Sequence, residues 1–413
     1  MIHPEKTLFF SIGEPSGDQH VARLLRSLHS ASPSTLHFRG FGGPEMRAAG
    51  CKLDYELTQM AVMGIVEVLP KLRQFFAIAD LASAAFEETP PDAVLLADFP
   101  GFNWHIAKRA KKQGIPVFYY LPPQLWAWGG WRVRKMARWV DHVLAVLPWE
   151  HQWYCDHGIR STYVGHPFFD ATADHELDQR LLDQLQRDAE AGSERLIAIL
   201  PGSRSHEVER NFPAMLAAMR ALSRKFPRLR FLVAAFRSQH CLWCRNQLSA
   251  EDASLRIDFF VGKTSEVIAS AECAMMVSGS VSLELLARGT PAVVLYRTSR
   301  STYWAARGLV RVPSMTLPNL MAQKTVFPEM ASCGSPRRTI EFLIDSMTTF
   351  LRDPETLAAC RRELQELRLR YGQGGASQRA ASTILKLLGI LPAGDQDLEP
   401  ERVIGAVAPR IAA

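Results

Sequence analysis

Short apolar runs, each stopped by Gly, Pro or Ser and followed by an amphipathic stretch, recur along the chain. Thr7–Ile12 enters Gly13-Glu14-Pro15-Ser16-Gly17-Asp18 and then an amphipathic run from His20 to Ser30. Leu36–Gly40 is closed by Gly42-Gly43-Pro44, Ala93–Leu96 ends at Asp98, Val117–Leu121 ends at Pro122-Pro123, and Val143–Val146 follows. The alternation pauses over Asp170–Ser193, rich in Asp, Gln and Glu, which reads as a linker. It restarts with Leu196–Leu200, Phe231–Ala235, Ile257–Phe260, Ala274–Val277 and Ala292–Tyr296. Short apolar runs bounded by turn residues are buried strands, and strands alternating with helical patterns imply βαβ units in parallel sheets. The expected fold is α/β, with two Rossmann-like doubly wound domains facing a central cleft. The expected boundaries are 1–169 for the first domain and 170–373 for the second. A helical segment, 374–413, is expected to return toward the first domain and end in a loosely ordered tail. Ligand crevices in such sheets lie beyond the C-terminal ends of the strands. Glu14, Asp98 and Gln124 each fall just past a strand end, so all three are expected to face one crevice.

Composition narrows this little. A chain of 413 residues suits two domains, and no run approaches the roughly 18 apolar residues of a membrane span. Glu5 precedes only a very short apolar run, which is not the pattern of a secretory signal, so a cytoplasmic protein is expected. Seven scattered cysteines do not suggest a disulfide framework. Cys241-x-x-Cys244 lacks a second pair or a His cluster at zinc spacing, and reads as two small residues on a helix. Asp395 and Asp397 form a D-x-D in the tail, with no preceding strand to make it a metal site. A net charge of +6 fits an anionic partner: a nucleotide, a nucleic acid or an acidic membrane.

Two turns carry the candidate chemistry. In Arg195–Asn211 a buried strand stops at Pro201-Gly202, and a helix follows from Ser203 or Ser205 with Glu207 and Glu209 in its early positions. Such a turn leaves backbone N–H groups pointing outward at a helix start, which binds phosphate, and Arg204 adds a fork of donors. The competing reading is an ordinary connection with a solvated Arg. In Ala274–Leu286 a second strand ends in Ser278-Gly279-Ser280 and opens a helix bearing Ser282 and Glu284. There the small residues admit a diphosphate, and Glu284 accepts from ribose hydroxyls. Together the turns indicate a nucleoside diphosphate site. G-x-G-x-x-G and the Walker A pattern are both missing, which argues against NAD and ATP chemistry.

The chain resembles the lipid-A-disaccharide synthases, inverting glycosyltransferases of the two-Rossmann-domain (GT-B) architecture. The resemblance rests on Gly13 to Asp18, Gly42-Gly43-Pro44-Glu45-Met46, Val62-Met63-Gly64, Asp98 to Asn103 and Pro123 to Trp128. It continues through Val164-Gly165-His166-Pro167, Leu200 to Arg204, Ser278 to Glu284, Leu317-Pro318-Asn319 and Pro328-Glu329. It implies transfer from UDP-2,3-diacylglucosamine to 2,3-diacylglucosamine 1-phosphate, giving a β-1,6-linked disaccharide phosphate and UDP, with no metal or prosthetic cofactor. Asp98 matches the catalytic aspartate, the base that takes the acceptor's proton. Glu14 is a second base or an acceptor-binding group. Gly202, Ser203, Arg204, Ser278, Gly279, Ser280, Ser282, Glu284 and Asn319 are assigned to the nucleotide, and Ser16, Gly17, Gln124 and Trp126 to the acceptor. The chain departs from the family pattern at Pro15, at Gly101 where a second Asp is common, and at Ala331-Ser332 where Gln is typical.

Both implied substrates carry acyl chains, so a peripheral position on the cytoplasmic face of the inner membrane is expected. Val66, Val68, Leu69, Leu72, Phe75 and Phe76, interspersed with Lys71 and Arg73, form an apolar surface suited to the bilayer; a core-packing helix gives the same stripe. Trp126, Trp128 and Trp131 interleaved with Arg132, Arg134, Lys135 and Arg138 suit a headgroup layer or the acceptor phosphate. No nucleic-acid module accompanies them, so no nucleic-acid partner is expected; a homodimer is left open. The alternatives are a transferase for a different UDP-sugar and a non-catalytic basic scaffold that binds membranes or nucleic acid.

Overall fold

A computed structural model describes residues 5–61 and 72–392 of the chain. They form two units, each built on one parallel sheet. The first unit combines the chain up to Ala171 with the described residues from Gly374 onward; the second is Thr172–Gln373.

The first sheet contains β1 (Lys6–Ile12), β2 (Leu36–Gly42), β3 (Lys52–Glu56), β4 (Ala93–Ala97), β5 (Val117–Tyr120), β6 (His142–Ala145) and β7 (Ser161–Tyr163). Its order is β3-β2-β1-β4-β5-β6-β7. The second contains β8 (Arg195–Leu200), β9 (Leu229–Ala235), β10 (Arg256–Val261), β11 (Cys273–Val277), β12 (Ala292–Thr298) and β13 (Glu329–Cys333), in the order β10-β9-β8-β11-β12-β13. Every pairing in both is parallel.

Central strands are continuous apolar runs because helices cover both faces of a parallel sheet. All of β4 and β11 is buried. The outer strands β3, β7 and β13 contain no fully buried residue. They carry no apolar run, and the hydrophobic pattern passes over them for that reason. The supposed linker is also helical. Helices cover Pro167–Asp174 and Gln179–Gly192, the second capped by Asp178, which accepts from the Leu181 N–H at 3.2 Å. Leu185 alone is buried in that second helix, so its composition imitates a linker.

The C-terminal helix Ala376–Leu387 packs on the first helix of the chain, Pro15–Ala31. Buried Asp170 fixes its start by accepting from the backbone N–H groups of Gly375 (2.7 Å), Ala376 (3.2 Å) and Ser377 (2.8 Å). One carboxylate thus answers donors that a helix start leaves orphaned, in the position where the dipole favours negative charge.

Replacing Asp170 with Ala should destabilise the first unit by about 2–3 kcal/mol, because three N–H groups, those of Ala376 and Ser377 buried, lose a charged acceptor. Tryptophan fluorescence during denaturant unfolding is the measurement, since Trp104 to Trp153 all lie in that unit.

Candidate active site

In the first sheet the strand order reverses between β1 and β4, and a doubly wound sheet opens its crevice at such a point. Gly13 and Glu14 leave β1 there, and Asp98 leaves β4. The turn after β4 is unusual: Asp98 and Phe99 adopt left-handed backbone, φ 50° and 41°, and so does Leu121 after β5, φ 51°. Such conformations cost a non-glycine residue roughly 1–3 kcal/mol and persist only where surroundings enforce them. Buried Asn103 enforces this one. Its amide Nδ2 donates to the carbonyls of Ser11 (3.1 Å), Ala97 (3.0 Å) and Asp98 (2.9 Å), and its Oδ1 accepts from Ser11 Oγ at 2.7 Å. The Tyr119 hydroxyl adds a 2.7 Å bond to the Asp98 carbonyl.

Two glycines make room for the turn. A Cβ at Gly17 would lie 2.1 Å from Asp98 Oδ2, and one at Gly13 would lie 2.3 Å from the Phe99 ring. Gly17 is therefore buried against the Asp98 carboxyl, while Ser16 beside it is exposed. The neighbouring Asp18 belongs to the scaffold. It is buried and accepts from the N–H groups of Gly43, Glu45 and Met46, joining the first turn of the Pro15–Ala31 helix to Gly43–Met46.

Burial raises the Asp98 carboxyl to about 7, and the nearby Glu14 charge adds to the rise. A carboxylate destabilised in this way is a stronger base than a solvated one and titrates in the range where general bases work. Glu14 is half-buried at the N-cap position of the Pro15–Ala31 helix. Gln124, the third residue expected there, is exposed. Gly101 is exposed too, and a side chain there would meet open space.

In the second sheet the order reverses between β8 and β11, so the two phosphate-type turns leave neighbouring strands at the same edge. The backbone donors expected in the first turn are, however, already engaged. Glu207 Oε2 accepts from the N–H groups of Ser203 (3.1 Å) and Arg204 (3.2 Å), an acidic side chain capping its own helix. Gly202, at φ 123°, permits this, since a Cβ would lie 2.7 Å from Glu207 Cβ. What faces outward is the Arg204 side chain, 62% exposed, with Nη1 3.7 Å from Glu207 Oε1.

In the second turn Gly279 and Ser280 are exposed and Ser278 is half-buried. Ser282 turns inward, donating to the Gly279 carbonyl at 2.9 Å, so its hydroxyl shapes the turn and does not face a ligand. Glu284 Oε1 accepts from Arg288 Nε at 3.2 Å and from Ser265 Oγ.

Two further expectations are corrected. Buried Asn319 donates to the Phe327 carbonyl and accepts from the Val326 and Phe327 N–H groups, all at 2.8 Å, so it clamps its own loop. Trp126 is 3% exposed and donates to the buried Glu150 at 3.1 Å; the exposed indoles are Trp128 and Trp131. Phe75 is half-buried and packs on the rings of Phe99 and Phe102, 6.0 and 5.8 Å away, so it supports the site from its own helix. Phe76 is 48% exposed. Val66, Val68 and Leu69, the Leu72 side chain, and Asp395 and Asp397 lie outside what is described. Cys241 and Cys244 are buried, free thiols on the Ser238–Arg245 helix, and no cluster of metal-ligand side chains occurs among the described residues.

Sequence reading overlooked the roles of Asn103, Tyr119 and Glu207. Asn103 lies within a quoted motif, but its work is done on carbonyls from two strands, which no local spacing reveals. Glu207 carried the one available signal: an acid at the third helical position is a cap as readily as a dipole partner.

Comparison with known proteins gives the chain's family and its fold relatives. The family model described as lipid-A-disaccharide synthetase matches residues 8–344. The chain is 35% identical to the lipid-A-disaccharide synthase of Syntrophus aciditrophicus, over 93% of this chain and 98% of that one. It is 31% identical to that of Coxiella burnetii, over 93% and 99%. Its fold is similar to a putative UDP-N-acetylglucosamine 2-epimerase of Listeria monocytogenes (TM-score 0.67, 14% identity, 97% of this chain and 100% of that one). It is also similar to the UDP-GlcNAc 2-epimerase of Neisseria meningitidis (TM-score 0.60, 16% identity, 92% and 99%). With a family model covering most of its length and relatives matched from end to end, the chain belongs to the lipid-A-disaccharide synthase family of glycosyltransferases.

Proposed function

We propose that the protein transfers 2,3-diacylglucosamine from its UDP derivative to 2,3-diacylglucosamine 1-phosphate with inversion at the anomeric carbon. Asp98 takes the proton from the acceptor hydroxyl as its oxygen attacks the anomeric carbon, and UDP departs from the opposite face. The observation that carries this reading is the Asp98 carboxyl itself, strained into place at the sheet's switch point and raised to about 7 by burial and by Glu14. Arg204 meets charge on the leaving diphosphate, aided by the helix start at Ser280. The diphosphate competes with the Glu207 carboxylate for the Ser203 and Arg204 N–H groups. Glu284 receives the ribose hydroxyls. Ser16 and Gln124, exposed beside the Asp98 turn and after β5, receive the acceptor.

With acylated substrates, the enzyme works in this reading at the cytoplasmic face of the inner membrane. Exposed Phe76, Trp128 and Trp131 support this, as does the Arg132 guanidinium 4.1 Å over the Trp128 ring. No helix of the described residues is long and apolar enough to cross a membrane.

Asp98→Asn should lower kcat by about 10²–10⁴-fold while calorimetry shows UDP binding unchanged; a near-normal rate would assign the base elsewhere. Because the base must be ionised, kcat/KM should rise with pH through about 7 and level off above it. Glu14→Gln removes a like charge, so the midpoint of that acid limb should move to lower pH. Gly17→Ala should displace the Asp98 carboxyl, lowering kcat far more than it alters UDP affinity.

A further inference from the structure

We propose that the helix Arg300–Leu309 of the second unit, with Val310 and Arg311 after it, is a docking element for an anionic lipid surface. It goes beyond the substrate reading, which needs no lipid contact from this unit.

This helix contains no buried residue. Trp304 is 64% exposed, and Leu309 and Val310 are each 45% exposed. A helix serving the core would turn such groups inward, and a merely solvated one would lack them. Arg300, Trp304 and Arg307 are spaced four and three residues apart, so they share one stripe. The Arg307 guanidinium lies 5.9 Å over the Trp304 ring, and Tyr303 meets that ring edge-on at 5.8 Å.

Along the sequence this stretch carries charge of one sign. No Asp or Glu occurs between Glu284 and Glu329, whereas Arg297, Arg300, Arg307 and Arg311 do; Arg288 and Lys324, at the two ends of the stretch, are paired with Glu284 and Glu363. Cations attract the surface of an anionic leaflet, and an indole beside them fits the depth where headgroups give way to acyl chains. A polyanion without acyl chains would satisfy the arginines and leave Trp304, Leu309 and Val310 in water. That difference selects a lipid surface.

The test is co-sedimentation of the full chain with vesicles of phosphatidylethanolamine and phosphatidylglycerol, across a salt series. Arg300, Arg307 and Arg311 changed together to Gln should weaken binding by about tenfold or more and flatten its salt dependence. Trp304→Ser should weaken binding while keeping the salt dependence. With brominated lipids, Trp304→Phe should remove a measurable share of the fluorescence quenching. Wild-type binding by both the triple variant and Trp304→Ser, or quenching unchanged by Trp304→Phe, would overturn the proposal. So would self-association without lipid that Trp304→Ser abolishes, since the face would then join two copies. All these side chains are exposed or half-buried, so circular dichroism should stay that of the wild type. Transfer between detergent-dispersed substrates should also be unaffected in these variants. Absence of that transfer in the wild type would instead defeat the catalytic reading and leave vesicle binding intact.

Discussion

A single buried amide, that of Asn103, ties the ends of β1 and β4 together and keeps the turn after β4 in a backbone that aspartate and phenylalanine otherwise avoid. Two consecutive left-handed residues would relax if three carbonyls were not tied to one side chain from the following helix. The local sequence follows from that knot. Gly13 and Gly17 lack side chains because Phe99 and the Asp98 carboxyl occupy the space a Cβ would need. The rings of Phe75 and Phe102 pack against Phe99. The result is a carboxyl held on a rigid strand end, where geometry is better maintained than on a free loop.

Electrostatic perturbation alone would not have identified that carboxyl. Glu150 is also raised to about 7 by burial, although the Trp126 indole and the Val146 N–H donate to it. It is enclosed and satisfied, and serves to pin Trp126 against Trp149. Asp98 differs in standing at the switch point, in carrying backbone strain, and in having a second carboxylate for a neighbour. Shifted titration marks candidates, and position decides among them.

Much of the architecture was readable from hydrophobic pattern, because strands buried on both faces must be apolar throughout. The ends of β1, β4, β8 and β11 were readable for the same reason, but the strand order that makes them switch points was not. The edge strands β3, β7 and β13 were hidden by their lack of an apolar run, unlike β10 with Ile257–Phe260, and the Gln179–Gly192 helix by having so little to bury. Among site residues, Asp98 and Glu14 stood out by following strands. Asn319 and Trp126 looked equally functional but proved to be internal fasteners, since sequence shows a polar group without showing where its hydrogen bonds go. Glu207 carried the opposite ambiguity: its carboxylate occupies donors that the turn offers to phosphate.

The Asp170 tether has a consequence for how the chain is made. Asp170 and Gly375 are 205 positions apart, with the whole second unit translated between them. At typical synthesis rates of about 5–20 residues per second, Asp170 waits roughly 10–40 s for its partners to emerge. The second unit is continuous and can fold on the ribosome as it appears, whereas the unit begun first is finished last. A premature stop after Gln373 would therefore harm the early half of the molecule and spare the late one.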